Sequence, residues 1–232
     1  MAPRQEEANQ RIKDERREQI LKAALQIFAR KGLAAARISD IAAAAGLSYG
    51  LVYHYFRDKE ELFVELVRRA VGGGVQVTQA ALDAQGPPLE RLHALCEEMV
   101  EGIRDDPEYL LVVIQATTQE SLPVEERESI ARLSGQTYQN VAALIRECQA
   151  AGQVVGGDPR ELAELYFAVI QGLAISRYSV PLRTLDGAQQ QETFPSAGAV
   201  MRLFQTHEQD RERDDDNRTA RSFHGDDDSL YS

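Results

Sequence analysis

Cysteine is scarce in this 232-residue sequence, which contains only Cys96 and Cys148. Two cysteines so far apart form neither a disulfide framework nor the spacing of a metal site. A free cysteine commonly behaves as a small buried hydrophobic residue. We therefore expect both thiols to be free and buried.

Long hydrophobic runs are also absent. No apolar stretch approaches the roughly 18 residues that a membrane-spanning helix requires, and the first ten residues, MAPRQEEANQ, lack the apolar segment of a signal peptide. The sequence therefore predicts a soluble, cytoplasmic protein with no membrane partner.

The sequence lacks the motifs of an enzyme or a metalloprotein. The acidic pairs at 97–98 and 105–106 are adjacent residues, which do not share one face of a helix. No glycine-rich phosphate loop or nucleophile motif occurs, and His93 has no second metal ligand nearby in the sequence. We expect no catalytic residue, no metal and no cofactor.

Negative charge dominates, with a net value of −11, but it is unevenly distributed. Residues 1–70 contain 13 basic and 10 acidic side chains, residues 71–206 contain 9 and 18, and residues 207–232 contain 4 and 9. Positive charge is therefore concentrated in the first 70 residues. A nucleic-acid contact there is compatible with an acidic chain, although its non-specific affinity should be modest.

The stretch from Arg37 to Lys59, RISDIAAAAGLSYGLVYHYFRDK, has the pattern of a helix-turn-helix. A short alanine-rich helix over 41–45, preceded by Arg37 or Ser39, ends at Gly46, because glycine readily adopts the left-handed conformation of a helix C-terminus. Ser48 is placed to cap a second helix over 49–56.

The second helix of this pattern has two unlike faces. At about 100° per residue, Tyr49, Gly50, Tyr53 and His54 share one arc, and apolar residues occupy the other. Hydroxyl and imidazole donors beside a glycine suit phosphates and base edges. An ordinary hairpin of small residues would leave this run of polar aromatics unexplained.

Asp58 and Glu61 predict the capped start of the next helix, and Lys59 lies in its first turn. Together with the preceding motif, this stretch resembles the DNA-binding domain of TetR-type bacterial transcriptional regulators over about residues 16–68. The resemblance implies contact with double-stranded operator DNA by residues in and around the motif: Arg37, Ser39, Ser48, Tyr49, Gly50, Tyr53, His54, Tyr55 and Lys59. Arg37 departs from the family, which usually has Thr or Ser there, so capping must pass to Ser39 or be lost.

The remaining sequence predicts an all-α fold with no strand-like alternation. We expect a flexible arm over 1–15, a three-helix helix-turn-helix domain over 16–70, a helical domain over 71–206 and a disordered acidic tail over 207–232. The glycines at 72–74 either end a helix or form a bendable point, and the domain boundary is placed near them.

The resemblance implies that the second domain binds a small-molecule effector and forms a homodimer. Polar-tipped side chains among apolar helices are candidates for the effector pocket: Tyr109, Gln115, Tyr138, Tyr166 and Tyr178. Apolar residues of the helix after Asp158 and of the last helix are candidates for the dimer interface: Leu162, Leu165, Val169, Leu173, Val200, Leu203 and Phe204.

The sequence thus predicts a DNA-binding transcriptional regulator, most simply a repressor that a ligand releases from a pseudo-palindromic operator. One alternative is a ligand-independent or architectural DNA-binding protein. A helical enzyme that has kept the motif is a third interpretation, against which the lack of catalytic motifs counts.

Overall fold

The computed structural model describes residues 3–117, 122–178 and 194–206, with side chains from residue 7 onward. Within these ranges the regular structure is helical, apart from one isolated β-bridge between Val154 and Gln205. The predicted all-α class is confirmed. The helices are α1 (Pro3–Ala35), α2 (Ile38–Ala45), α3 (Tyr49–Tyr55), α4 (Lys59–Asp83), α5 (Pro88–Asp105), α6 (Glu108–Ala116), α7 (Val124–Ala150), α8 (Pro159–Tyr178) and α9 (Ala197–Met201).

α1 begins much earlier than the sequence suggested. Residues 3–15 are helical, where the sequence predicted a flexible arm over 1–15 without regular structure of its own. Their polar side chains form local pairs at helical spacing, including Arg11 with Glu15, and they extend a helix whose nucleation the apolar residues after residue 19 already favour. Gly32, with φ 72° and ψ 166°, interrupts the helix near its end.

α4 passes through Gly72–Gly74 without interruption and ends at Asp83. A helix end at the glycines is therefore excluded, and no linker separates the two halves of the chain there. The alternative, a bendable point within the helix, stays a prediction. α4 packs along α7, whose Thr137 lies 3.6 Å from the position that a Cβ atom of Gly74 would occupy.

The first hydrophobic core unites α1–α4 with residues from the second half of the sequence. Val112 and Ala116 of α6, together with Leu122 and Ile130, belong to the same buried cluster as the helix-turn-helix core. α4 is therefore not alone in connecting the two halves, because α6 also packs against α1 and α4.

A second core lies among α5, α7, α8 and α9. Both cysteines are free and buried in it, as predicted, and burial raises the pKa of each thiol to about 11. The predicted acidic tail over 207–232 lies outside the described residues.

Candidate DNA interface

The turn between α2 and α3 is built by local chemistry. Gly46 follows α2 with φ 65° and ψ 30°, the left-handed conformation that glycine adopts at little cost, and its amide donates to carbonyls of the last turn. The Ser48 hydroxyl then accepts a hydrogen bond from the Leu51 amide at 3.3 Å. Both predicted caps are confirmed, and they fix the angle at which α3 leaves the turn.

α3 presents the predicted polar arc to solvent. Tyr49, Gly50, Tyr53 and His54 are exposed, whereas Val52 on the opposite side is fully buried. The Tyr49 and Tyr53 hydroxyls lie 3.2 Å apart and their rings meet edge to face at 4.9 Å between centroids. The hydrogen bond from Tyr49 raises the pKa of Tyr53, which keeps the Tyr53 phenol protonated.

Tyr55 lies differently from the other aromatic residues of α3. Its ring is half-buried, packs against the first core and meets the His54 ring edge to face at 5.4 Å. Its predicted DNA contact stays a prediction, and its packing gives it a role in holding α3.

The start of α2 has no side-chain cap. Arg37 occupies the N-cap position and makes no capping hydrogen bond, while Ser39 lies inside the helix. The capping role that we considered for Ser39 is therefore corrected. In its place, Lys31 of α1 forms an ion pair with Asp40 of α2 at 2.7 Å, which lowers the pKa of the Asp40 carboxyl and joins the two helices.

The start of α4 carries two reciprocal caps. The Asp58 carboxylate accepts the Glu61 amide at 2.7 Å, and the Glu61 carboxylate accepts the Arg57 amide at 2.7 Å. The predicted capping box is thus present, with its return bond displaced by one residue to Arg57. The Arg57 guanidinium also pairs with Asp58 at 2.9 Å.

The ammonium group of Lys59 is held by backbone carbonyls near the end of α1. Its ammonium nitrogen donates to the carbonyl oxygens of Leu33, Ala34 and Ala36 at 2.8, 3.0 and 3.1 Å. The carbonyls lie at the end of α1 and in the loop to α2, so this contact closes one side of the motif.

An open groove of about 440 Å³ lies between the start of α2, α3 and the start of α4. It brings together the predicted residues Arg37, Ser39, Tyr49, Tyr53 and Lys59. The groove therefore gathers most of the predicted DNA-contact positions on one surface.

The candidate pocket residues lie in different surroundings. Tyr138 and Tyr166 flank Phe167, at 4.3 and 5.5 Å between ring centroids, and Tyr166 is buried in the second core. Tyr109 is exposed, and Tyr178 lies half-buried at the end of α8.

Gln115 connects the two halves of the chain. Its side-chain amide donates to the Ala29 carbonyl of α1 at 3.2 Å. It therefore lies where α6 meets the helix-turn-helix domain, and its role as a pocket residue stays a prediction.

The candidate dimer residues divide into two groups. Leu165 and Leu203 are 57% and 63% exposed, and the other α8 candidates, Leu162, Val169 and Leu173, are half-buried. In contrast, Val200 and Phe204 are only 3% and 6% exposed. The prediction for these two is corrected, because they pack into the second core of their own chain.

Sequence reasoning missed a buried polar cluster between α4 and α7. Asn140 donates to the Thr78 hydroxyl at 3.2 Å, Gln136 donates to Asn140 at 2.8 Å, and Thr78 donates to the Gly74 carbonyl at 2.8 Å. Polar residues at isolated positions of long helices gave no signal of this pairing. An ion pair between Arg68 and Glu126 also joins these helices, at 2.7 Å.

Metal-binding groups and membrane-spanning helices are both absent from the described part of the chain. No group of His, Cys, Asp or Glu side chains there is arranged to hold a metal ion. None of its helices combines the length and the apolar character needed to cross a bilayer.

Comparison with known proteins gives two family matches. Residues 20–66 match the sequence model of the bacterial regulatory proteins of the tetR family, and residues 85–175 match the tetracyclin repressor-like C-terminal domain. Together the two matches span more than half of the chain.

Individual relatives support the same conclusion. The HTH-type transcriptional regulator BetI of Rhizobium meliloti is 28% identical over 69% of this chain and 76% of its own length. The HTH-type transcriptional repressor KstR2 of Mycolicibacterium smegmatis is 36% identical over 38% of this chain, and the match spans 43% of KstR2. The crystal structure of AibR in complex with isovaleryl coenzyme A and operator DNA has the same fold, with a TM-score of 0.59, 16% identity, and 80% of this chain and 93% of AibR covered.

The capped motif with its polar arc, the helical second half and the two family matches agree, and this chain belongs to the tetR family of bacterial regulatory proteins.

Proposed function

We propose that this protein is a cytoplasmic transcriptional repressor that binds a pseudo-palindromic operator as a homodimer and leaves it when a small molecule binds. It acts by binding and not by catalysis. The observation that carries the proposal is the exposed, acid-free arc of α3, held between two capped helix starts. Two such arcs, related by a two-fold axis, suit successive major grooves on one face of a duplex.

The arc predicts that Gly50 lets the duplex approach the α3 backbone. A Cβ atom added at Gly50 would meet no atom within 4 Å, so Gly50→Leu should leave the fold intact. The new side chain would project from the recognition surface, and operator affinity should fall at least tenfold, about 1.4 kcal/mol.

Gly102→Leu is the matched control, because Gly102 is also exposed and helical with open space around it, but it lies in α5. Operators would first be selected from a random duplex library, and affinity would be measured by fluorescence anisotropy. If Gly50→Leu binds the selected site as tightly as the parent does, the arc is not the recognition surface.

The dimer is proposed to form through the outward side of α8 together with the exposed Leu203. Leu165 and Ile175 are exposed large hydrophobic residues on α8, and Gly172 between them is exposed as well. With the half-buried Leu162, Val169 and Leu173, these side chains give α8 an apolar surface that a partner subunit would cover. Leu165→Asp should yield monomers by sedimentation velocity, and these should bind the operator weakly because one half-site is contacted instead of two.

Val124→Asp is the control for that substitution. Val124 is 58% exposed and lies at the start of α7. Its substitution therefore removes an exposed apolar side chain from a surface outside α8. A Leu165→Asp protein that sediments as a dimer would contradict the assignment of the interface to α8.

The effector is proposed to bind within the helical second half. Support comes from the C-terminal domain match and from AibR, whose structure contains both a coenzyme A thioester and operator DNA. Native mass spectrometry of the purified dimer would test for a retained small molecule. A ligand-independent regulator would instead show one operator affinity across a broad panel of metabolites.

A further inference from the structure

Lys59 occupies an unusual place among the four lysines of the chain, which are Lys13, Lys22, Lys31 and Lys59. An ammonium group has three N–H donors. Lys59 donates them to the carbonyl oxygens of Leu33, Ala34 and Ala36, which all lie within 3.1 Å of its nitrogen. The side chain is therefore saturated by backbone acceptors of its own chain.

Those carbonyls lie at and just after the end of α1, where a cation is favourable. α1 is interrupted at Gly32 and ends at Ala35, and the last carbonyls of a helix have no partner within the helix. The negative end of a helix dipole also favours a positive charge. If Lys59 turned to a DNA phosphate, it would leave three acceptors without their donor.

The contact joins the two segments that flank α2 and α3 in the sequence. Lys59 is the first residue of α4, and its acceptors end α1, so α2 and α3 lie between the tied points in the sequence. The Lys31 to Asp40 ion pair ties α1 to α2 in the same region. The end of α1 thus holds both flanks of the motif.

A different cation is available to a phosphate. Arg37 is exposed, its side chain makes no capping bond, and among the described residues it forms no ion pair within 4 Å. It lines the groove beside Tyr49 and Tyr53. Arg57, the other arginine near this surface, is already paired with Asp58.

We infer that Lys59 is a positioning residue, which fixes α3 by closing the end of α1, and that Arg37 supplies the phosphate contact of this surface. The inference rests on the proposed function of operator binding. In this division of roles, Lys59 sets the geometry of specific recognition, whereas Arg37 adds a charge that acts on any duplex.

The salt dependence of operator binding separates the two roles. Each phosphate contact contributes about 0.9 to the slope of log K against log salt concentration. Arg37→Met should flatten the slope by about 0.9 per protomer and leave the thermal midpoint unchanged. Lys59→Met should leave the slope within about 0.3 of the parent, lower the thermal midpoint, and reduce specific binding at least tenfold more than non-specific binding.

Arg146→Met is the control for loss of charge, because Arg146 is exposed on α7 within the second half of the chain. A Lys59→Met protein whose slope falls by about 0.9 per protomer, with an unchanged midpoint, would overturn the inference. So would a Lys59→Met protein with the parent's operator affinity.

A measurement on the unsubstituted protein covers the case in which Lys59→Met does not fold. Lysines of the free dimer are acetylated with a limiting reagent and read by peptide mass spectrometry. In the free protein, Lys59 should already react at least tenfold more slowly than the exposed Lys22. Equal reactivity in the free protein, or protection that appears only with DNA, would refute the positioning role.

This second measurement also distinguishes the inference from the proposed function. If the protein bound no duplex, operator recognition would fail, yet slow acetylation of Lys59 in the free protein would still support its contact with α1.

Discussion

Replacing all three glycines of α4 by alanine should stabilise this protein substantially. Gly72, Gly73 and Gly74 have helical conformations in the middle of a 25-residue helix. A Cβ atom at Gly72 or Gly73 would meet no atom within 4 Å, and one at Gly74 would lie 3.6 Å from the Thr137 hydroxyl, an ordinary contact distance. The substitutions therefore remove backbone freedom from the unfolded chain without a clash in the folded one.

Each change from glycine to alanine inside a helix contributes roughly 0.5–1 kcal/mol, so the triple variant should gain about 1.5–3 kcal/mol. For a chain of this size, the thermal midpoint should rise by roughly 3–12 °C. Differential scanning calorimetry at fixed protein concentration measures this, because dimerisation makes the midpoint depend on concentration.

Two single substitutions serve as controls for the triple variant. Gly102→Ala in α5 should show the ordinary gain for one exposed helical site. Gly32→Ala should be destabilising, because its φ of 72° strains a residue that has a Cβ atom. A triple variant less stable than the parent would refute the reasoning, since the glycines would then serve a conformation other than the continuous helix.

The same variant tests whether the glycines let α4 bend. If a bend transmits the effector signal, the triple alanine protein should bind effector within a few-fold of the parent and lose less operator affinity on binding it. If effector lowers the operator affinity of the variant as much as that of the parent, the signal does not depend on a bend at the glycines. Other contacts between the two halves, including that of Gln115 with α1, would then transmit it.

Three further predictions concern a helix cap, a carboxylate and the two buried thiols. Ser48→Ala should destabilise the helix-turn-helix by about 1 kcal/mol, because the Leu51 amide loses its acceptor, and chemical denaturation measures this loss. The Glu61 amide lowers the pKa of Asp58, so its carboxylate stabilises the fold above the unfolded pKa, near 4, and this contribution is lost as pH falls through the lower folded pKa. The stability difference between the parent and Asp58→Asn should therefore shrink below about pH 4, and a constant difference down to pH 2 would contradict it. Cys96 and Cys148, with pKa values raised by burial to about 11, should react with a thiol reagent at pH 8 only after unfolding, so rapid labelling of the native protein would show that the second core opens.

The sequence by itself determined the helix-turn-helix and its exposed arc. Each signal there acts over a few residues: Gly46 ends α2 through its own φ, Ser48 caps an amide three residues on, and Asp58 does the same at α4. Caps and helical periodicity depend on short-range geometry, which the order of residues fixes. The start of α1 escaped prediction because polar pairs, and not an apolar stripe, extend it.

Only the tertiary structure decided which partner each side chain meets. Periodicity marked Val200 and Leu203 alike as apolar, but one is buried in its own chain and the other is exposed. Lys59 had the sequence position of a phosphate contact, yet its acceptors lie 23 to 26 residues earlier in the chain. Thr78 and Asn140 meet across 62 residues for the same reason. Packing between distant helices sets these contacts, and no local pattern encodes the packing.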